Sequence, residues 1–485
     1  MQKNLTSLLI ALAFAAPAAV QAAPAAGNAD ITARHFAALV SGPAPKTAEL
    51  TMFFNMMPKG ADLHHHYSGS IYAEQYLEWV DKLGYCIDKS TWSVQTAKAV
   101  IDAERAKPAG QRGCVSAAEL ATDPLAYRSL MHKWSVMDFY NHTENQLPPD
   151  LAFFTTFLRF DGVASTNGND GQKRLKERAI AENVSYIETV FEIAPITFDA
   201  EFDSKLTDDA AFGAYLAKLE ASPAFNKGVA DYMAHVDATS AGIDDEHFTM
   251  RYQPFVLRFL SPSIVFSQMA AGFKIASQHK KVVSVNIVGA EHYPVSMRDY
   301  SLHMRMYKFL SAKYPGVKLS LHAGELALGQ VPPEGLKFHI AEALDVAGAR
   351  RIGHAMDIAH ESQAPAILKK MREKNIPVEV NLTSNEFILG VKGDAHPVNI
   401  YRKYGVPFVL SSDDTGVSRN TLSNEYVLFA SRYKTNYAEV KKLSYDSIRY
   451  GFLAEGDKQR LLKQLDNRFT RFEADIAELA ATSRK

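Results

Sequence analysis

Cysteine is nearly absent from this chain: 485 residues contain two, Cys86 and Cys114, and they form no Cys-x-x-Cys pair. That excludes the zinc deaminases that need a Pro-Cys-x-x-Cys clamp. No Gly-x-Gly-x-x-Gly follows any strand-like run, so the dinucleotide-binding fingerprint is missing too. Neither sign of charge predominates, with 53 Lys and Arg against 54 Asp and Glu. The balance gives no electrostatic ground for nucleic acid or an anionic membrane as a partner. Beyond the N-terminus, no charge-free apolar run reaches the roughly 20 residues that a membrane span needs.

What is present begins with an export signal. Residues 1–22 read as a signal peptide, with Lys3 as the positive start, an apolar core over residues 8–14 and Val20-Gln21-Ala22 as the cleavage pattern. The chain is thus expected to be exported, to a periplasmic or extracellular location. An oxidising compartment favours a Cys86–Cys114 disulfide. Residues 23–56 read as an N-terminal arm or helix, with His35, Phe36, Leu39 and Val40 at helical spacing. Residues 57–485 read as one large unit, interrupted over about 84–124 by an irregular, polar insertion that holds both cysteines and no clear strand. His142-Thr143-Glu144, which imitates half of the cysteine-clamped deaminase motif, reads as a polar loop.

From residue 57 the chain alternates between short apolar or β-branched runs and helical periodicity. The runs cover residues 57–70, 184–190, 250–257, 282–289, 318–325, 350–355, 377–385 and 407–414. Eight strands joined by helical crossovers predict a (β/α)8 barrel, with the insertion after its first strand and a helical C-terminal tail carrying Leu461, Leu462, Leu465, Phe469, Phe472 and Ile476. In such a barrel the C-terminal strand ends converge on one mouth.

Those ends carry the chemistry. Leu63-His64-His65-His66 places His64 and His66 on the same face of an extended strand. His322-Ala323-Gly324-Glu325, Gly353-His354-Ala355 and Ser411-Ser412-Asp413-Asp414 end three later strands. His64, His66, His322 and Asp413 form a nitrogen and oxygen set that suits zinc, with iron, cobalt or manganese also compatible. Such an ion lowers the pKa of a water it binds towards about 7. Glu325 can then give a proton to a substrate ring nitrogen, His354 can hold or deprotonate the attacking water, and Asp414 can accept a hydrogen bond from the substrate.

In order and content, Met57-Pro58-Lys59, Leu63-His64-His65-His66, His322-Ala323-Gly324-Glu325, Gly353-His354-Ala355 and Ser412-Asp413-Asp414 resemble the adenosine deaminase family, over roughly residues 57–455. Val288-Gly289 with Glu291 is similar to the family's glycine stretch. Residues 381–385 match its seventh strand only loosely. Export and the two-cysteine insertion resemble the family's secreted, growth-factor-related branch. The resemblance implies one zinc per chain on His64, His66, His322 and Asp413, with Glu325 protonating purine N1, His354 on the attacking water, Asp414 at N7 and Gly289 at N3. It also implies a purine nucleoside as substrate, and it leaves a homodimer open. Where the family commonly has a sugar-binding aspartate this chain has Ser68, which the alternation of an extended strand would put on the side of His64 and His66. Thr415 stands where many relatives have proline.

The expected activity is hydrolytic deamination of adenosine or 2′-deoxyadenosine to inosine or 2′-deoxyinosine with release of ammonia. Two alternatives differ from it. One is another metal-dependent amidohydrolase acting on a different amino-purine. The other is a non-catalytic, growth-factor-like binding protein, which would be expected to have lost ligands or Glu325.

Overall fold

The computed structural model describes residues 27–141, 146–205 and 209–482. The signal peptide reading and His142-Thr143-Glu144 lie outside the described residues. Eight parallel strands appear where the apolar runs predict them: β1 Gly60–His66, β2 Val184–Ile193, β3 Thr249–Leu257, β4 Asn286–Val288, β5 Ser320–Ala323, β6 Arg351–His354, β7 Val378–Val380 and β8 Phe408–Leu410. They pair in sequence order as two four-stranded sheets, β1 to β4 and β5 to β8. Single bridges join the sheets into a barrel, Val285 to Leu319 between β4 and β5, and His65 to Asp413 between β8 and β1. The second closure is held by Asp413 N–H donating to the His64 carbonyl (2.9 Å) and His66 N–H donating to the Asp413 carbonyl (3.2 Å). The barrel therefore closes at the residues expected to bind metal.

Proline at a first-turn position, where no N–H is needed, opens many of the surrounding helices, among them Pro149–Ala164, Pro262–Gln278 and Pro294–Lys313. The N-terminal helices Asn28–Val40 and Thr47–Met56 pack with the C-terminal helix Glu455–Thr482. Phe53 joins them, with ring centroids 5.1 Å from both Phe36 and Phe472. In the tail, Leu461, Leu465, Phe469, Phe472 and Ile476 are buried and Leu462 is half-buried, as a stripe of helical period requires.

Three expectations need correction. The insertion is not without strands: Cys86–Asp88, Ser93–Gln95 and Cys114–Val115 form a three-stranded antiparallel sheet beside the helix Lys98–Arg105. Strands of two or three residues are too short to show alternation. The seventh run stops being strand at Val380, and Leu382–Leu389 is a helix, so Asn381 and Asn385 stand one turn apart. The first strand ends at His66, and Tyr67–Ser70 is a helical turn. Side-chain alternation therefore does not extend to Ser68, whose carbonyl accepts a hydrogen bond from the Tyr76 hydroxyl (2.7 Å). The cysteines are joined as expected, with Cα atoms 5.6 Å apart. Among the described residues no helix is long and apolar enough to cross a membrane.

Candidate metal centre and catalytic mouth

The imidazoles are oriented from behind. His64 Nδ1 lies 2.8 Å from Glu379 Oε2. The other oxygen of Glu379 accepts from Ser320 Oγ (2.8 Å) and from Arg351. A carboxylate can only accept there, so the His64 proton sits on Nδ1 and Nε2 presents a lone pair. His322 is set in the same way, Nδ1 lying 2.9 Å from Asn286 Oδ1. That oxygen also accepts the Ile287 N–H (2.8 Å), while Asn286 Nδ2 donates to Gln253 (3.0 Å), which fixes the amide's orientation. These partners match the outer hydrogen bonds that hold metal-binding histidines.

The nitrogens facing forward crowd together. His66 Nε2 is 3.2 Å from His322 Nε2 and 3.3 Å from Asp413 Oδ1, and His64 Nε2 is 3.5 Å from the same oxygen. His64 Nε2 is buried without a hydrogen-bond partner. A cation is the group that satisfies a buried nitrogen lone pair and a carboxylate turned to one point, so these residues fit a divalent metal. His354 stands beside them, its ring centroid 4.7 Å from that of His64 and 5.1 Å from that of His322. His64, His322 and His354 thus form a second potential metal-binding group, overlapping His64, His66 and Asp413.

Backbone geometry is unusual at the same strand ends. His354 (φ +65°), Ala355 (+50°) and Asp413 (+60°) occupy the left-handed region, each at a cost of about 1–3 kcal/mol. Two glycines permit close approach. A Cβ on Gly353 would lie 2.7 Å from His64 Cε1, and one on Gly69 would fall on the Asp414 carboxyl group. Gly289 follows β4, with the Phe259 ring against its α-carbon.

The acids of the mouth divide by charge. Burial, then Asp413 and Glu291, push the Glu325 carboxyl well above its ordinary range, which favours its protonated form. Its oxygen is 3.6 Å from His354 Nδ1. Burial and adjacent Asp413 likewise raise Asp414. Glu291 stays ionised: burial opposes this, but Arg258 and His339 bring it down to about 2. Its carboxylate accepts the backbone N–H groups of Gly324 and Glu325, both at 3.0 Å, and so sets the turn that presents Glu325.

The structure therefore brings together His64, His66, His322, Asp413, Glu325 and His354, with Asp414 adjoining. Sequence reasoning missed Glu379, Asn286 and the orienting role of Glu291. A signal existed for the first two, since each is a polar residue inside an apolar strand, at Val378-Glu379-Val380 and Val285-Asn286-Ile287.

The adenosine deaminase family profile matches residues 225–468, half of the chain. An adenosine deaminase from Haemophilus ducreyi is 32% identical over 189 residues, covering 39% of this chain and 50% of that one. Another from Pectobacterium atrosepticum is 27% identical over 234 residues, covering 48% and 63%. The matched stretches thus span about half to five-eighths of these relatives' own length. Among solved structures, the Arabidopsis thaliana N6-methyl-AMP deaminase superposes with a TM-score of 0.54 at 20% identity, over 86% of this chain and 98% of that one. A zinc-bound amidohydrolase from Burkholderia ambifaria gives 0.51 at 17%, over 88% and 94%. At such identities the likeness establishes the barrel fold. With that fold, the metal-suited strand ends and the profile match over its C-terminal half, the chain belongs to the adenosine deaminase family.

Proposed function

We propose that this protein is a zinc-dependent hydrolase that deaminates adenosine and 2′-deoxyadenosine. The observation that carries the reading is the convergence of buried imidazole nitrogens and Asp413 Oδ1 beside the buried Glu325 carboxyl. His64, His66, His322 and Asp413 would hold one zinc per chain, and the bound ion would make a water acidic enough to attack at neutral pH. His354 holds that water against purine C6. Glu325 gives its proton to N1, making C6 more electrophilic. Purine N7 offers only a lone pair, so Asp414 contacts it as a donor, in its protonated form, rather than accepting as its carboxylate would. The Gly289 backbone approaches N3.

The disulfide is compatible with export, and we assign residues 1–22 to a leader, residues 23–56 to an arm and residues 57–485 to the catalytic unit. Relatives and structural neighbours include an adenine deaminase from Agrobacterium fabrum and the N6-methyl-AMP deaminase, so the test must separate purine classes. Loss of adenine absorbance is followed with adenosine, 2′-deoxyadenosine, adenine, AMP and N6-methyl purines. Fastest turnover of the two nucleosides supports the assignment. Preference for the free base, the nucleotide or the methylated purines overturns the nucleoside reading, and no turnover at all favours a binding protein.

A further inference from the structure

His354 poses a question that its position alone leaves open, because it is close enough to join the metal as a ligand and also placed to act on the attacking water. Which of these it does depends on where its single proton sits. The answer runs back through three hydrogen bonds to a backbone amide.

The Val398 N–H donates to His396 Nδ1 at 3.1 Å. A backbone N–H can only donate, so that nitrogen carries no proton. Burial lowers the pKa of His396 to about 3, which keeps the ring neutral. Its proton is then on Nε2, 3.2 Å from Asn385 Oδ1, to which it donates. With Oδ1 committed, Asn385 Nδ2 is the atom facing His354 Nδ1, at 2.9 Å. Reversing the amide would set two donors against each other at His396. Asn381, one helical turn earlier, turns its Nδ2 towards the same nitrogen at 3.4 Å. The Glu325 oxygen at 3.6 Å is beyond hydrogen-bonding reach.

We infer that Asn385 and His396 are positioning residues that fix neutral His354 with its proton on Nε2, which keeps it off the metal and makes it a hydrogen-bond donor to the attacking water. The inference rests on the proposed metal site. It assigns to His354 the holding of the water, not the removal of its proton. It also decides between the two overlapping metal-binding groups, leaving Asp413 and the other three histidines as the ligands. All three residues are buried, so no solvent competes with the relay.

The test begins with the zinc-loaded enzyme carrying 15N-labelled histidine, the His354 signals being assigned by their loss in His354→Ala. The inference expects an N–H type shift at Nε2 and a bare-nitrogen shift at Nδ1, and the reverse pattern overturns it. An aspartate at 385 would instead accept from Nδ1–H and free Nε2 to bind metal. Asn385→Asp should therefore tighten zinc by about tenfold or more in chelator competition, and lower kcat by at least about 10²-fold with KM nearly unchanged. The same substitution in a His354→Ala background controls for the added charge. Tightening only when His354 is present supports the inference, and equal tightening in both backgrounds overturns it. If Asn385→Asp does not fold, the spectrum of the unsubstituted enzyme still decides. Zinc-bound protein with the expected tautomer but no nucleoside turnover refutes the substrate reading alone. An active deaminase with the proton on Nδ1 refutes this inference alone.

Discussion

The mouth of the barrel, gathered from strand ends between His64 and Asp414, and the disulfide-bonded insertion that follows β1 treat their polar groups in opposite ways. In the insertion, polar groups are closed locally: Glu104 accepts from Lys107 and the Gly113 N–H, Ser116 and Glu119 form a capping box, and Cys86 is bonded to Cys114. At the mouth, His64 Nε2 and Asp414 Oδ1 are buried without partners, and His354, Ala355 and Asp413 hold unfavourable backbone angles. One region spends its interactions on its own stability. The other leaves buried polar groups unpaired, as a site that takes a cation and a substrate would.

The sharpest way to break this contrast is to remove the anionic ligand. Asp413→Ala should abolish both tightly bound metal, by elemental analysis, and activity, because three neutral nitrogens remain around a divalent cation. Two tightly held metals per unsubstituted chain would refute the single site. Next in size, Glu325→Gln should retain metal yet lose at least about 10²-fold in turnover, since an amide cannot supply the proton. Near-normal turnover would end the proposed role of Glu325. On the other side, replacing both cysteines by serine should cost about 3–4 kcal/mol in unfolding of the insertion, as expected for a cross-link spanning 28 positions, with kcat essentially unchanged. Calorimetry and initial rates check the two halves of that statement, and a large fall in kcat would tie the insertion to the chemistry. The smallest effect belongs to the Lys98–Asp102 pair, 2.6 Å apart but highly exposed. Lys98→Ala should change stability by no more than about 0.5 kcal/mol in urea titration.

Much of the site is legible in the sequence because barrel topology converts position into function. A polar residue at the C-terminal end of an apolar run lands at the mouth, which identifies His64, His66, His322, Glu325, His354 and Asp413 without coordinates. The same logic fails for Ser68, because it assumes that the chain stays extended beyond His66, and the chain turns there instead. It fails for the insertion's strands, whose few residues leave no period to detect.

By itself, then, the sequence determined the number and order of the barrel strands and the kinds of donor atom at their ends, since hydrophobic period and residue chemistry are local properties. Tertiary structure alone decided how those donors are aimed. Glu379 reaches His64 across 315 positions, Asn286 reaches His322 across 36 and Asn385 reaches His354 across 31, and each sets which nitrogen of its imidazole carries the proton. A tautomer depends on the partner behind the ring, and each partner comes from another element, β7 for His64, β4 for His322 and the helix after β7 for His354, so only packing brings it there.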